Sequence, residues 1–261
     1  MNTLPLLSSE IHGEGDVSII LMHGLLGSSR NWRSVAKELA HGFTLHCLDL
    51  RNHGTSFHDE DASITSMAGD LLRYIDHHNI AKPILCGHSL GGKVAMHFAC
   101  KNQPRVEKLI IADIAPRDYP TDHHIPTLDS LLRVDLTTLS SRKEADELLS
   151  SAISNWAFRQ FLLTNLIQEG NTFQWKPNVQ ALRNSIEQLS ANPLIEGDYF
   201  NGPTLFIRGG KSGYLRSAHI QEINRYFPDT TVEVLPNAGH DVHVEDRPGF
   251  LAAVKRFLLK G

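Results

Sequence analysis

Short apolar runs alternate with segments of helical period along most of the chain, the pattern of a mostly parallel β-sheet flanked by helices. Residues 17–22 (VSIILM) form an apolar run suited to a strand buried on both faces. Residues 31–40 then place Trp32, Val35, Ala36 and Leu39 at helical spacing, and a second strand is predicted over 43–50 (FTLHCLDL). Ile64, Met67, Ala68, Leu71, Leu72 and Ile75 follow the spacing of one helix face, with Ser63 placed to cap it. A short strand at 83–86, a helix at 90–101 and a strand at 106–112 continue the alternation.

The alternation stops at 117–198, which shows helical stretches at 141–153 and 178–189 but no convincing buried strand. It resumes with strands at 204–208 and 231–235 and helices at 217–226 and 248–259, Pro248 suiting the first turn of the last. The expected organisation is an α/β core of residues 1–116 and 199–261, interrupted by a helical insertion at 117–198. No repeat or low-complexity tract modifies that division.

A length of 261 residues fits one domain carrying an insertion, and 41% hydrophobic with 21% charged residues is ordinary for a globular chain. A net charge of −4 with scattered Lys and Arg gives no electrostatic case for nucleic acid or an acidic membrane. No run approaches the roughly 18 apolar residues of a spanning helix, so no stable membrane insertion is expected. The segment MNTLPLLSSE has neither the basic start nor the apolar run of a leader. Cys47, Cys86 and Cys100 are odd in number and form no C-x-x-C pair, so they read as buried hydrophobes in a reducing compartment. These features lead to the expectation of a cytoplasmic enzyme, monomeric or weakly homo-oligomeric.

The chemistry centres on Gly87-His88-Ser89-Leu90-Gly91, a G-x-S-x-G sequence between an apolar strand (ILC) and a helix pattern (LGGKVAMHFA). A strand passing straight into a helix strains the central residue of the turn, and the flanking glycines remove Cβ atoms that would collide. Gly92 eases the same packing. That turn lifts the Ser89 hydroxyl above the carboxyl edge of the sheet, where it reads as a nucleophile. A plain helix cap would not need this context. His88 reads as a packing residue beside it.

A serine hydroxyl needs a base, and 15 histidines are present, so position must choose among them. His240, in Asn237-Ala238-Gly239-His240, lies between the last strand and the last helix, in a loop at the same sheet edge as Ser89. His243 is the runner-up. The acid should fall between serine and histidine in chain order. Its usual place is the turn at 205–212 (LFIRGGKS), which lacks a carboxylate and carries Ser212 where the acid is expected. The strand before the insertion ends in Ala112-Asp113-Ile114, and Asp113 there is an odd choice for packing alone. Asp113 is therefore the predicted acid. Asp118 and Asp241 read as loop carboxylates, and Asp49 as an anchor for the loop after it.

Two backbone N–H groups are predicted to form the oxyanion hole: that of Leu90, after the nucleophile, and that of Leu25, in His23-Gly24-Leu25-Leu26-Gly27. His23 is expected to prop that loop by hydrogen bonding.

These residues sit in segments that resemble the α/β-hydrolase superfamily, and more closely the YbfF-type esterases. The matching stretches are HGLLGSSRNW (23–32), DLRNHGTS (49–56), GHSLGGKVAM (87–96), ADIAPRDY (112–119), FQWKPN (173–178) and NAGHDVHVEDRP (237–248). The resemblance implies an α/β-hydrolase fold: a mostly parallel, eight-stranded-type sheet flanked by helices, with 117–198 as a helical cap over the site. It also implies an acid after the strand that follows the nucleophile helix, in agreement with Asp113. Phe158, Phe161 and Trp175 are open to two roles, lining the acyl or alcohol pocket or packing the cap's own core. The segment 49–53 is a family marker, read as structural. Substrates implied are short to medium acyl esters and acyl thioesters, acyl-CoA included, with no metal and no organic cofactor.

The leading reading is thus a serine hydrolase working through an acyl-enzyme, its turnover rising with pH as the base loses its proton, near ~6.5 for an ordinary histidine. Carbon–carbon bond hydrolysis, or cofactor-free haloperoxidase and perhydrolase chemistry, uses the same triad and is the alternative. Epoxide hydrolases and haloalkane dehalogenases place Asp where Ser89 stands and are excluded in their usual form. A non-catalytic binding protein on this scaffold is the third reading, and an intact triad speaks against it.

Overall fold

The computed structural model describes residues 5–170 and 172–259; the first four residues of the segment read for a leader lie outside it. The chain opens with β1 (Ser9–His12), β2 (Ser18–Met22), α1 (Arg33–Leu39), β3 (Thr44–Leu48) and α2 (Ile64–His77). There follow β4 (Ile84–His88), α3 (Leu90–Lys101) and β5 (Leu109–Ala112). The segment between β5 and the next core strand holds α4 (His124–Leu132), α5 (Arg142–Ser150), α6 (Trp156–Leu163), β6 (Leu166–Glu169), β7 (Thr172–Trp175), α7 (Val179–Asn184) and α8 (Ile186–Ser190). The core then resumes with β8 (Thr204–Gly209), α9 (Ile220–Tyr226), β9 (Thr230–Leu235), α10 (Val242–Glu245) and α11 (Arg247–Leu259).

The main sheet has the order β1-β3-β2-β4-β5-β8-β9. Only β1 runs antiparallel; every other pairing is parallel. Alternate residues of each central strand face opposite layers. Ile20, Met22, Leu85, Ile111 and Phe206 pack on one side with α2 and α3, whereas Ile19, Leu21, Cys86, Ile110 and Ile207 pack on the other with α1 and α11. Burial of both faces is why these strands read as continuous apolar runs.

The sheet therefore has seven strands among the described residues, not the eight expected from the resemblance. The edge strand β1 (SEIH) was not predicted, because it is short, only partly buried and carries no apolar alternation. The insertion is also not purely helical: β6 and β7 pair as an antiparallel hairpin that buries only Leu166 and Phe173, so no apolar run marked it. The helix expected over 178–189 is two helices that meet at Ser185, whose φ of −98° and ψ of 1° leave the α region. Ser63 does cap α2, its side chain accepting from the Ser66 N–H.

One face of α3 holds the end of the insertion. Lys93 Nζ donates to three successive carbonyls, Leu189 (3.1 Å), Ser190 (2.7 Å) and Ala191 (2.6 Å). One turn on, His97 Nδ1 contacts the Pro193 carbonyl at 2.9 Å, and after another turn Lys101 pairs with Asp198 at 2.6 Å. The i, i+4, i+8 spacing puts all three side chains on the same stripe of the helix that begins beside Ser89. Lys93 is buried, which pushes its ammonium down to about 7, with Asp118 opposing that shift.

All three cysteines are buried and free, and burial raises their thiols well above the usual range. Among the described residues no helix is long and apolar enough to cross a membrane.

Candidate active site

Because its strands are parallel, the main sheet brings the loops after β2, β4, β5, β8 and β9 to one edge. Ser89 lies at the junction of β4 and α3 with φ 50° and ψ −115°, a left-handed conformation that only surrounding structure can impose on a non-glycine residue. A Cβ on Gly87 would lie 2.2 Å from the Gly91 carbonyl oxygen, and one on Gly91 2.4 Å from that of Met22. The Ser89 N–H donates to the Ala112 carbonyl (3.2 Å) and the Gly91 N–H to that of His23 (3.0 Å), so the turn is tied to both neighbouring strands.

Asp113 follows β5 directly, is fully buried, and also has a positive φ of 50°. Its N–H donates to the Ile207 carbonyl at 2.8 Å. Its Oδ1 accepts the Gly209 N–H at 2.9 Å. Its Oδ2 accepts His240 Nδ1–H at 2.8 Å and also the Ser212 hydroxyl. A carboxylate only accepts, so Nδ1 carries the proton and Nε2 keeps the lone pair that a base requires. The Ser212 oxygen in turn accepts the Tyr214 N–H at 3.1 Å. Ser212, at the position where the acid was first sought, thus contributes a donor to the Asp113 carboxylate.

His240 packs against Tyr214, with ring centroids 3.9 Å apart and planes 19° from parallel, and against His88 at 4.6 Å. His88 Nε2–H donates to the His240 carbonyl at 3.0 Å. Burial, then the nearby His240 and His243, push the His88 imidazole well below its ordinary range. It is a neutral prop, as its packing role implied. His243, the runner-up base, is buried and stacked on Trp32 at 4.3 Å; burial and then His240 push it down to about 3.

The loop after β2 also matches its expected construction. His23 Nδ1–H donates to the Gly24 carbonyl at 2.7 Å while its Nε2 accepts the Leu50 N–H at 3.1 Å. Asp49 accepts the N–H groups of Ser29 (2.6 Å) and Thr55 (2.8 Å), anchoring two loops at once. Burial pushes the Asp49 carboxyl up, but those donors outweigh it and leave it below the usual carboxylate range. A Cβ on Gly24 would meet the Ser89 Cβ at 3.2 Å, so Leu25 follows a residue packed against Ser89. Among the described residues the Leu25 N–H has no backbone acceptor. Leu90 is the first residue of α3, where an N–H has no partner within the helix.

A narrow pocket opens on Ser89. Leu25, Leu90 and Ile114 line it from the core and Ile186 and Leu189 from the insertion, and Lys93, Tyr119, His124, Ser190 and Tyr214 border it with polar groups. Phe158, Phe161 and Trp175 do not line it. Phe158 is exposed and stacks on Phe161, while the Trp175 indole N–H donates to the Leu131 carbonyl inside the insertion. Among the described residues no group of three or more His, Cys, Asp or Glu is placed to hold a metal ion.

Several imidazoles of the fold are held far below the ordinary ~6.5. Burial, assisted by neighbouring histidines, lowers His53 and His243 to about 3 and His46 and His124 to about 4. Between those values and ~6.5 the unfolded chain binds more protons than the folded one, so stability falls as pH falls. The urea midpoint is expected to be level from pH ~8 to ~7 and to drop steadily from pH ~6 to ~4, a window above most carboxylates. Urea titrations across that range check it; a level midpoint throughout would mean these rings are solvated.

The model of the α/β hydrolase fold family matches residues 17–247. The chain is 36% identical over 266 residues to the sn-1-specific diacylglycerol lipase ABHD11 of Mus musculus, covering 99% of this chain and 86% of that protein. It is 31% identical to the esterase YbfF of Escherichia coli, covering 92% of each. Among solved structures, a marine microorganism esterase superposes with a TM-score of 0.94 at 35% identity, covering 98% of this chain and 100% of that one. The chain belongs to the α/β-hydrolase family. Within it, the chain is a carboxylic ester hydrolase of the YbfF-type esterase group.

Proposed function

We propose that this esterase works through a covalent acyl-enzyme, with Ser89 as nucleophile, His240 as base and Asp113 as its partner, beneath residues 117–198 acting as a cap. The observation that carries the reading is the 2.8 Å bond from His240 Nδ1 to the fully buried Asp113 carboxylate, at the same sheet edge as the strained Ser89 turn. The buried carboxylate fixes the tautomer and stabilises the imidazolium.

The Ser89 oxygen attacks the substrate carbonyl as its proton passes to His240 Nε2. The carbonyl oxygen becomes negative and is held by the N–H groups of Leu90 and Leu25. Collapse expels the alcohol or thiol, which takes the proton from His240. Water then gives a proton to His240 and attacks the acyl carbon, and the carboxylic acid leaves as Ser89 regains its proton. Each N–H aimed at the oxyanion is worth ~3 kcal/mol at the transition state.

Leu25, Leu90, Ile114, Ile186 and Leu189 give an acyl chain an apolar wall beside Ser89, which supports acyl substrates, of short to medium length. Relatives named as esterases and lipases favour oxygen esters over carbon–carbon substrates, and thioesters of the same acyl size suit the same chemistry. A fluorophosphonate that traps serine hydrolases, followed by peptide mass mapping, tests the nucleophile. Its adduct is expected on Ser89 alone, with ester turnover lost in step. Turnover that survives complete Ser89 modification would overturn the mechanism. A panel of acetyl to decanoyl esters and thioesters then ranks substrates, and the shorter half is expected to lead.

A further inference from the structure

We propose that Tyr214 is a positioning residue for the base: its ring face holds the His240 imidazole in register and stabilises the imidazolium formed in both halves of the reaction. This rests on the reading of His240 as the base. The ring planes lie 19° from parallel with centroids 3.9 Å apart, so the imidazole meets the electron-rich face of the phenol and not its edge. A cation over such a face is attracted by its quadrupole, more strongly where water is excluded.

The phenol ring is fixed from several directions. Its own N–H donates to Ser212 Oγ at 3.1 Å, the hydroxyl that contacts the acid. Its carbonyl accepts the Tyr119 hydroxyl at 2.8 Å. Its ring stacks on Tyr119 at 5.4 Å, and the Ala115 N–H in turn holds the Tyr119 oxygen at 2.9 Å. One short loop therefore carries the third donor to Asp113 and the ring that packs on His240, and both are tied back to the strand end that carries the acid. Tyr214 also borders the Ser89 pocket.

Other charged or titratable groups around His240 do not supply the same effect. Asp113, at the end of β5, binds Nδ1 and favours the cation. His88, at the end of β4, lies 4.6 Å away and is neutral, as is the buried His243 in the same loop. Asp241 follows His240 in the chain and its exposed carboxylate approaches His88 at 3.7 Å; it favours the cation by charge and not through a ring face. His124 from the insertion, lowered to about 4 by burial, brings no charge near neutrality. Tyr214 is thus the neighbour that favours the imidazolium through a ring face.

The test compares wild type, Tyr214→Phe, Tyr214→Leu and a protein carrying pentafluorophenylalanine at 214, which keeps the shape of the ring and reverses its quadrupole. The ring face survives in Tyr214→Phe, so its kcat and pH–rate profile should match wild type. In Tyr214→Leu and the fluorinated protein, kcat is expected to fall ~10-fold and the acid limb of the kcat/KM profile to move ~1 pH unit lower. A ring acting only as a pocket wall would change KM and leave that limb in place, and this result would overturn the proposal. If Tyr214→Leu fails to fold, the fluorinated protein decides the question alone. Ser89→Ala, run in parallel, separates the two claims: full turnover there defeats the serine mechanism, whereas a dead Ser89→Ala with unmoved Tyr214 profiles defeats only this inference.

Discussion

Ser89→Ala is expected to lower ester turnover by ~10⁴- to ~10⁶-fold while leaving the unfolding midpoint close to wild type. The size of the loss follows from the division of labour. Without a nucleophile on the enzyme, His240 can only activate water directly, and what remains is binding plus the oxyanion N–H groups of Leu25 and Leu90. The stability expectation follows from the turn. Alanine keeps the Cβ, so the positive φ of 50° is neither relieved nor worsened, and the Ser89 backbone bond to Ala112 is retained. Steady-state kinetics on the best ester, with a pre-steady-state trace, check both points. Wild type should show a burst or covalent accumulation with a slowly deacylating substrate, and Ser89→Ala neither. Retained turnover in a folded Ser89→Ala protein would reduce Ser89 to a turn residue.

What the sequence disclosed and what it hid divide along physical lines. The central strands were legible because both faces are buried, which makes 19–22 and 205–207 apolar without interruption. The nucleophile turn was legible because two glycines are required by space alone, one on each side of Ser89. Asp113 was reached by elimination, since the turn after β8 offers no carboxylate, and the structure sets it 2.8 Å from His240 Nδ1. Two features escaped because neither periodicity nor apolarity marks them. β1 is a half-exposed edge of four residues, and the β6–β7 hairpin covers little. The pocket wall escaped for another reason. Phe158, Phe161 and Trp175 have the right chemistry, but the direction a helix face points depends on how the insertion docks, which spacing does not encode.

The grip of α3 on the insertion was equally invisible. Lys93, His97 and Lys101 sit at i, i+4 and i+8, and their partners are backbone carbonyls and one carboxylate about a hundred positions away. Nothing in the residue types of those partners signals the contact. The stacking of Tyr214 on His240 is of the same kind, joining loops that meet only because β8 and β9 are parallel neighbours. Sequence motifs thus named the candidate residues Ser89, Asp113 and His240, and the fold alone supplies the groups that hold them.

Asp113→Asn is the sharper of the two catalytic substitutions, because it changes one atom in a site whose hydrogen bonds can be enumerated. The carboxylate receives three donors: the Gly209 N–H, the Ser212 hydroxyl and His240 Nδ1–H. An amide supplies one accepting oxygen and an NH₂ group, so at least one of those donors now faces another donor. If the NH₂ faces His240, the ring accepts at Nδ1 and carries its proton on Nε2, the nitrogen that must take one from Ser89. A loss of ~10⁴-fold in kcat at neutral pH is expected from the wrong tautomer. Ser212→Ala removes one donor from a carboxylate that keeps two, and should cost only ~10-fold. The double variant Asp113→Asn with Ser212→Asp restores a carboxylate beside the oxygen that contacts His240, and should recover ~10- to ~100-fold over Asp113→Asn alone. Kinetics on the four proteins decide it. If Asp113→Asn were silent, the acid would be another group, with Asp241 the nearest candidate in the chain, and the recovery in the double variant would vanish with it.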